Sequence, residues 1–106
     1  MYNQFMHTVI ETLEFQQQSA GIWTDAQFHA FINWIAQNPL AGDVIPGACG
    51  ARKVRWSARG QGKRGGARII YFHLPEQGVV LLIAAYVKAE RSTMTTKEIR
   101  KASHEH

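Results

Sequence analysis

The chain has 106 residues, 45% of them apolar and 19% charged, so it can bury a hydrophobic core, and we expect one domain spanning residues 1–106. Its longest apolar run, Val79–Val87, is far shorter than the roughly 20 residues that cross a membrane. The single cysteine, Cys49, excludes an intramolecular disulfide and is typical of a reducing compartment. Because the first residues also lack the basic segment of a signal peptide, the sequence predicts a soluble, cytoplasmic protein.

The amino-terminal part is predicted to contain one short strand and two helices. The strand lies within Phe5–Glu14, where apolar residues alternate loosely, and it passes into a helix around Glu11–Ala20. The second helix follows Thr24, which forms a capping-box pattern with Gln27, and ends at Asn38 before a proline. One broad apolar face is formed at helical spacing by Phe28, Phe31, Ile32, Ile35 and Ala36.

The apolar period changes to two after a predicted loop at Leu40–Gly50, which indicates a three-stranded meander. Its strands are one that begins at Arg52 and includes Val54 and Trp56, one at Ala67–Leu74 and one at Val79–Val87. A glycine-rich connection, a turn and a weak helix are predicted at Arg59–Gly66, Pro75–Gly78 and Thr93–His104.

The order of these elements predicts an α+β fold, in which a small antiparallel sheet is covered on one face by the two helices. The sheet comprises the amino-terminal strand and the three-strand meander. Val79–Val87 is continuously apolar, as expected for a central strand covered on both faces. Lys53 and Arg55 point to the face opposite the helices, which we expect to be free for binding.

The basic residues are confined to the second half of the chain. All twelve Lys and Arg residues lie at or after Arg52, whereas residues 1–51 carry four acids. No Asp or Glu falls between Asp43 and Glu76, so the bases in this stretch have no acidic neighbour in sequence. Such a patch indicates a polyanionic partner, and a solvated face that serves solubility is the alternative. Aromatic residues that interleave with the bases could stack on nucleotides or belong to the core: Trp56, Tyr71, Phe72 and Tyr86.

Other motifs give weaker signals. Residues 60–65 match G-x-G-x-x-G, but a predicted strand follows them, so a flexible loop that offers Lys63 and Arg64 to phosphate is favoured over a dinucleotide site. The histidines and the one cysteine lack the spacing of zinc ligands, so no metal or cofactor is expected. His73 is a minor candidate for the site because it lies on a predicted strand near the others.

Four blocks of sequence carry a family resemblance: Gly42–Gly47, Gly50–Trp56, Gly62–Tyr71 and Ala85–Glu90. Together they resemble the RelE/HigB superfamily of type II toxins, in particular its HigB2-like branch. The resemblance covers Asn38 to about Lys101, and the first 37 residues resemble the family only in the order of their elements. It implies a RelE-like fold and a ribosome-dependent endoribonuclease, an mRNA interferase that cuts mRNA in the ribosomal A site without a metal. It also implies a HigA-like helix-turn-helix antitoxin and an oligomeric toxin–antitoxin complex.

The resemblance also implies the roles of individual residues. The catalytic candidates are Lys53, Arg55, Arg68, Lys88 and Tyr86, and the RNA-binding candidates are Arg52, Arg59, Lys63, Arg64 and Trp56. Arg55 and Arg68 would clamp phosphate with their guanidinium forks, and Lys53 would act as a base or stabilise the transition state. Tyr86 shares strand parity with Lys88 and would replace a phenol that the family has in its tail. A non-catalytic nucleic-acid-binding module, or a subunit that docks on an acidic protein, would use the same face.

Overall fold

A computed structural model describes residues 6–60, 66–87 and 96–104 of the chain. In chain order the elements are β1 (Thr8–Glu11), α1 (Leu13–Ser19), α2 (Asp25–Gln37), β2 (Asp43–Val44), β3 (Arg52–Trp56), β4 (Ala67–Leu74), β5 (Val79–Val87) and α3 (Thr96–His104), with one 3₁₀ turn at Pro75–Gln77. The α+β class is confirmed. No helix within the described ranges is long and apolar enough to cross a membrane.

The five strands form one sheet in the order β1-β5-β4-β3-β2. The meander β3-β4-β5 is antiparallel as predicted, whereas β1 runs parallel to β5, so the sheet is mixed. The parallel pairing is possible because β1 and β5 are far apart in sequence and need no tight hairpin between them. The two-residue strand β2 lies inside the predicted loop Leu40–Gly50 and pairs with the start of β3.

The helices α1 and α2 cover one face of the sheet, as predicted. Thr12 caps α1 by accepting a hydrogen bond from the Phe15 amide (3.1 Å), and its hydroxyl donates to the Leu82 carbonyl of β5 (3.0 Å). The capping box of α2 is present, with Thr24 and Gln27 bonded reciprocally at 2.9 and 3.0 Å. The helices bury Phe15, Phe31 and Ile35 against a sheet layer made of Ile69, Tyr71, Val80, Leu82 and Ala85.

The opposite face of the sheet is largely covered, which corrects the expectation that it is free. A second buried cluster contains Ile70, Phe72, Leu81, Ile83, Ala84 and Tyr86 from the sheet. Ala48 and Ala51 of the loop before β3, together with Ile99 of α3, close over it. Arg100 links the two covering segments, because its Nε donates to the Gly47 carbonyl at 2.9 Å. This cover is needed because β5 is apolar on both of its faces, as its sequence predicts.

Candidate functional site

Three basic residues lie together at the β3 end of the sheet face opposite α1 and α2. In the β3–β4 pairing Arg55 is directly opposite Arg68, and Lys53 is opposite Ile70. Cross-strand partners share a face, and so do residues two apart on a strand, so Lys53, Arg55 and Arg68 point the same way. Arg55 is exposed, whereas Lys53 and Arg68 are half-buried. Like charges directly opposite each other destabilise a sheet, which makes the Arg55–Arg68 pair a feature that folding alone does not favour.

A cleft of about 460 Å³ runs along this basic cluster. Strand β2 pairs with Arg52 and Lys53 of β3 but does not extend to Val54. The cleft opens beside the part of β3 that β2 leaves unpaired, at Val54 and Arg55. Its walls come from α2, the segment around β2, β3 and β4: Trp34, Ala41, Asp43, Lys53, Val54, Arg55 and Arg68. Three cations, one carboxylate and one indole ring therefore line the same cleft.

The segment that carries the cleft wall before β3 is fixed by two side chains from the sheet. The Tyr71 hydroxyl donates to the Pro39 carbonyl (2.8 Å) and accepts from the Gly42 amide (2.9 Å). The Arg52 guanidinium donates to the Leu40 and Gly42 carbonyls at 3.2 and 2.7 Å. Burial raises the pKa of Tyr71 above its ordinary value of 10.0, so its hydroxyl keeps the proton that it donates to Pro39. These bonds hold Asp43, the next residue, in place beside the cleft.

Replacing Gly42 by alanine is expected to destabilise this anchor. A Cβ at this position would lie 2.9 Å from the Lys53 carbonyl oxygen and 3.0 Å from the Tyr71 ring, and both are held by the sheet. We expect a loss of about 1–3 kcal/mol in the free energy of unfolding, measured by urea denaturation. Gly50→Ala gives the contrasting case of backbone strain without a close contact, because its Cβ would meet nothing within 4 Å whereas the backbone there has a φ of +88°. Gly42 does not have a positive φ, so a Gly42→Ala protein as stable as wild type would show that the Lys53 carbonyl and the Tyr71 ring leave room for a Cβ.

Several predicted site residues lie away from the cleft. Arg52 faces the helix side and holds the 40–42 backbone, as described above. The Trp56 indole nitrogen donates to the Gln27 carbonyl (3.0 Å), and its ring packs between those of Phe31 and Trp34, with centroids 5.4 and 5.1 Å away. Arg59 is exposed and directs its guanidinium to the Trp23 carbonyl (3.4 Å).

Of the four remaining predicted site residues, the structure describes only Tyr86. Tyr86 is the direct cross-strand partner of Arg68, so it lies next to the cluster on the same face, but it is only 8% exposed. Lys63, Arg64 and Lys88 lie outside the described residues.

Two cleft residues with an aromatic or charged side chain, Trp34 and Asp43, were not among the predicted site residues. Trp34 stands beside the apolar stripe of α2, and this offset is the only sequence signal that it faces a different environment from Phe31 and Ile35. Asp43 is the last acid before the acid-free stretch, within a predicted loop. Trp34 reaches the cleft because α2 docks on β3 from a distant position in the chain, and Asp43 reaches it through the pairing of β2 with β3.

A pair of histidines lies near the β1 end of the helix-covered face. The Nε2 atoms of His7 and His73 are 3.0 Å apart, so one neutral ring donates to the other. Burial, and then the charges of His7 and Arg52, lower the pKa of His73 below its ordinary value of 6.5. The minor candidate His73 therefore belongs to this pair and is not among the residues that line the cleft.

Acidification is expected to destabilise the protein through this pair. His73 binds a proton more weakly when folded than when unfolded, so its contribution is present above pH 6.5 and is lost as the pH falls below that value. Urea midpoints measured between pH 7.5 and 5 should fall in the wild type and fall less in His73→Gln. His29→Gln, which alters an exposed histidine of α2, should keep the wild-type dependence. An unchanged pH dependence in His73→Gln would assign the effect to other groups.

Metal ligands are not clustered in the part of the chain that the structure describes: no group of three or more His, Cys, Asp or Glu residues could hold an ion. The cleft offers one carboxylate among cations, which is a donor set suited to an anion and unsuited to a cation. No protein-family model matches this sequence.

Proposed function

We propose that this chain is the toxin of a type II toxin–antitoxin system, a cytoplasmic, ribosome-dependent endoribonuclease that cleaves mRNA in the ribosomal A site. The observation that carries the proposal is the cleft in which Arg55 and Arg68 stand directly opposite each other with Lys53 beside them. The proposal of an mRNA-cleaving toxin comes from the resemblance of the surrounding sequence blocks to RelE/HigB toxins. The same blocks contain all three of these residues.

A phosphate explains the opposed arginines better than a solvated surface does. Each guanidinium presents a planar fork of donors that matches two oxygens of a phosphate. An anion between Arg55 and Arg68 would therefore turn their repulsion into two attractive contacts. The cleft volume of about 460 Å³ is within the range of small-ligand sites. The Trp34 indole on its wall offers a surface on which an unpaired base can stack.

RNA cleavage by its own 2′-hydroxyl suits these residues. The reaction needs removal of the 2′-OH proton, stabilisation of the charged phosphorane and a proton for the departing 5′-oxygen. Positioned cations stabilise charge that develops in the transition state, which is the role we propose for Arg55 and Arg68. The ribosome would supply the mRNA in a single-stranded, splayed form.

A cognate antitoxin is the second proposed partner. A helix-turn-helix antitoxin would neutralise the toxin in an oligomeric complex, and an acidic segment laid over the cleft would block RNA by occupying the same cations. The cluster of Lys53, Arg55 and Arg68 would thus bind either RNA or the antitoxin.

The test is expression of the chain in growing cells and its addition to a translating extract. We expect growth arrest that co-expression of the neighbouring gene product relieves, and mRNA cut at A-site codons only when ribosomes are present. A non-catalytic nucleic-acid-binding module would bind RNA with steep salt dependence and leave the mRNA intact. Tight binding to an acidic protein without RNA binding would indicate a docking subunit. Either result contradicts the proposal.

A further inference from the structure

Among the described residues that line the cleft, one side chain, that of Asp43, carries a negative charge. Lys and Arg side chains carry a proton at neutral pH, so they can hold a phosphate but must first lose that proton to accept another. Of the ionisable residues that line the cleft, Lys53, Arg55 and Arg68 are of this kind and Asp43 is not. Aspartate is normally deprotonated at neutral pH and can accept a proton directly.

The strand pairing places Asp43 next to the basic cluster. Asp43 is the direct antiparallel partner of Lys53, so the two side chains share a face, with their Cβ atoms about 4.5–5.5 Å apart. Arg55 follows Lys53 two residues along the same strand, and Arg68 is opposite Arg55. A phosphate held by the two arginines would therefore have an ammonium and a carboxylate beside it. Asp43 is exposed, so a substrate can reach it.

The backbone next to Asp43 is held in place by two side chains of the sheet. The carbonyl of its neighbour Gly42 accepts a hydrogen bond from Arg52, and the Gly42 amide donates one to the Tyr71 hydroxyl. Because the aspartate side chain is short, anchoring the neighbouring backbone limits the region that the carboxylate can reach. Such pre-organisation is what a group that takes part in proton transfer requires.

We propose that Asp43 is the general base of the cleavage reaction, an inference that rests on the proposed function. Its carboxylate takes the proton of the 2′-OH, and the 2′-oxygen attacks the adjacent phosphorus to form a 2′,3′-cyclic phosphate. The P–O5′ bond breaks, and the 5′-oxygen leaves with the bonding electrons and takes a proton from the Lys53 ammonium. Arg55 and Arg68 hold the non-bridging oxygens throughout. Exchange of protons with water then restores Asp43 and Lys53.

If Asp43 is the general base, its removal should affect RNA binding and the cleavage rate in opposite directions. The negative charge of Asp43 repels the phosphates of RNA, so its removal should strengthen binding in a cleft that otherwise carries three cations. Loss of a positioned base instead slows the chemical step by about 10²–10⁴-fold. Faster binding or tighter affinity combined with a slower reaction is therefore the signature of a base, and a merely structural residue would not give it.

The experiment compares Asp43→Asn with wild type in single-turnover cleavage on mRNA-programmed ribosomes and in equilibrium binding of a single-stranded RNA. We expect Asp43→Asn to cleave about 10²–10⁴-fold more slowly while binding RNA as tightly as wild type or more tightly. Glu76→Gln is the matched control, because it removes one exposed acid from the turn between β4 and β5, and it should match wild type in cleavage. An mRNA with a 2′-deoxynucleotide at the cleavage position should remain uncut by all three proteins.

Chemical rescue distinguishes the loss of a general base from a folding defect. Formate added to Asp43→Ala should raise the cleavage rate in proportion to its concentration, whereas chloride at the same ionic strength should not. If Asp43→Asn cleaves within about threefold of an active wild type, or if formate restores nothing to Asp43→Ala, Asp43 is not the base and the proposed function still stands. If wild type itself leaves ribosome-bound mRNA intact, the proposed function and this inference are both wrong.

Discussion

Replacing Arg68 by alanine is expected to reduce the rate of mRNA cleavage by about 10²–10³-fold, the usual effect of removing one preorganised donor to a developing anion. The same change should alter the free energy of unfolding by less than about 1 kcal/mol, because it removes a like charge directly opposite Arg55 but also the hydrogen bond from the Arg68 guanidinium to the Gly66 carbonyl (3.1 Å). A large loss of activity with little change in stability is expected at a residue that serves function more than folding. Cleavage on programmed ribosomes and urea denaturation measure the two effects.

Arg59→Ala is the control for this prediction, since it removes the same charge from a residue that does not line the cleft. It should cleave mRNA at a rate close to that of wild type. In binding experiments with single-stranded RNA, Arg68→Ala should lower the slope of log affinity against log salt by about one phosphate contact, whereas Arg59→Ala should change it less. Equal losses of activity in the two variants would mean that the basic surface as a whole, and not the cleft, interacts with RNA.

Replacing Phe31 by alanine is expected to cost about 3–5 kcal/mol in the free energy of unfolding, the largest stability effect that we predict. Phe31 is fully buried, and its ring lies 5.4 Å from that of Trp56 and 6.3 Å from that of Trp23. Truncation would leave a cavity where α2 meets β3, and most small domains have only about 5–15 kcal/mol of stability in total. Urea or thermal unfolding measures the change.

Leu40→Ala is the matched control, because Leu40 is a large apolar residue that is 59% exposed. Its effect should stay within about 0.5 kcal/mol, as is usual for surface positions. Phe31→Ala should also lower RNA cleavage, since Trp34 packs on Phe31 and forms one wall of the cleft. A Phe31→Ala protein as stable as wild type would show that the aromatic cluster is not the main link between α2 and the sheet.

Local sequence patterns were sufficient for the elements whose residues are neighbours in the chain. The capping box at Thr24 and the stripe through Phe31 and Ile35 predict α2, because helix caps and faces depend on residues three and four apart. The same holds for β4, which has the predicted bounds Ala67–Leu74. The two-residue strand β2 could not be predicted, since so short a segment is defined only by the neighbour with which it pairs.

The residues that line the cleft could also be predicted only in part from local sequence patterns. Alternation along β3 predicts that Lys53 and Arg55 share a face, and this is observed. It cannot predict that Arg68 stands opposite Arg55, because the register between β3 and β4 depends on how the chain between them closes. It also cannot predict that Asp43 is the partner of Lys53.

The sequence by itself determined the α+β class, the main helix, the apolar central strand and the concentration of positive charge after Arg52. These features follow from local propensity, periodicity and composition, which need no knowledge of distant contacts. Only the tertiary structure decided which bases meet in one cleft, that Arg52 and Trp56 serve packing instead, and that a carboxylate and an indole join the cations. The reason is physical: strand register and the docking of α2 on β3 are set by side chains far apart in the chain, whose contacts form together when the core closes.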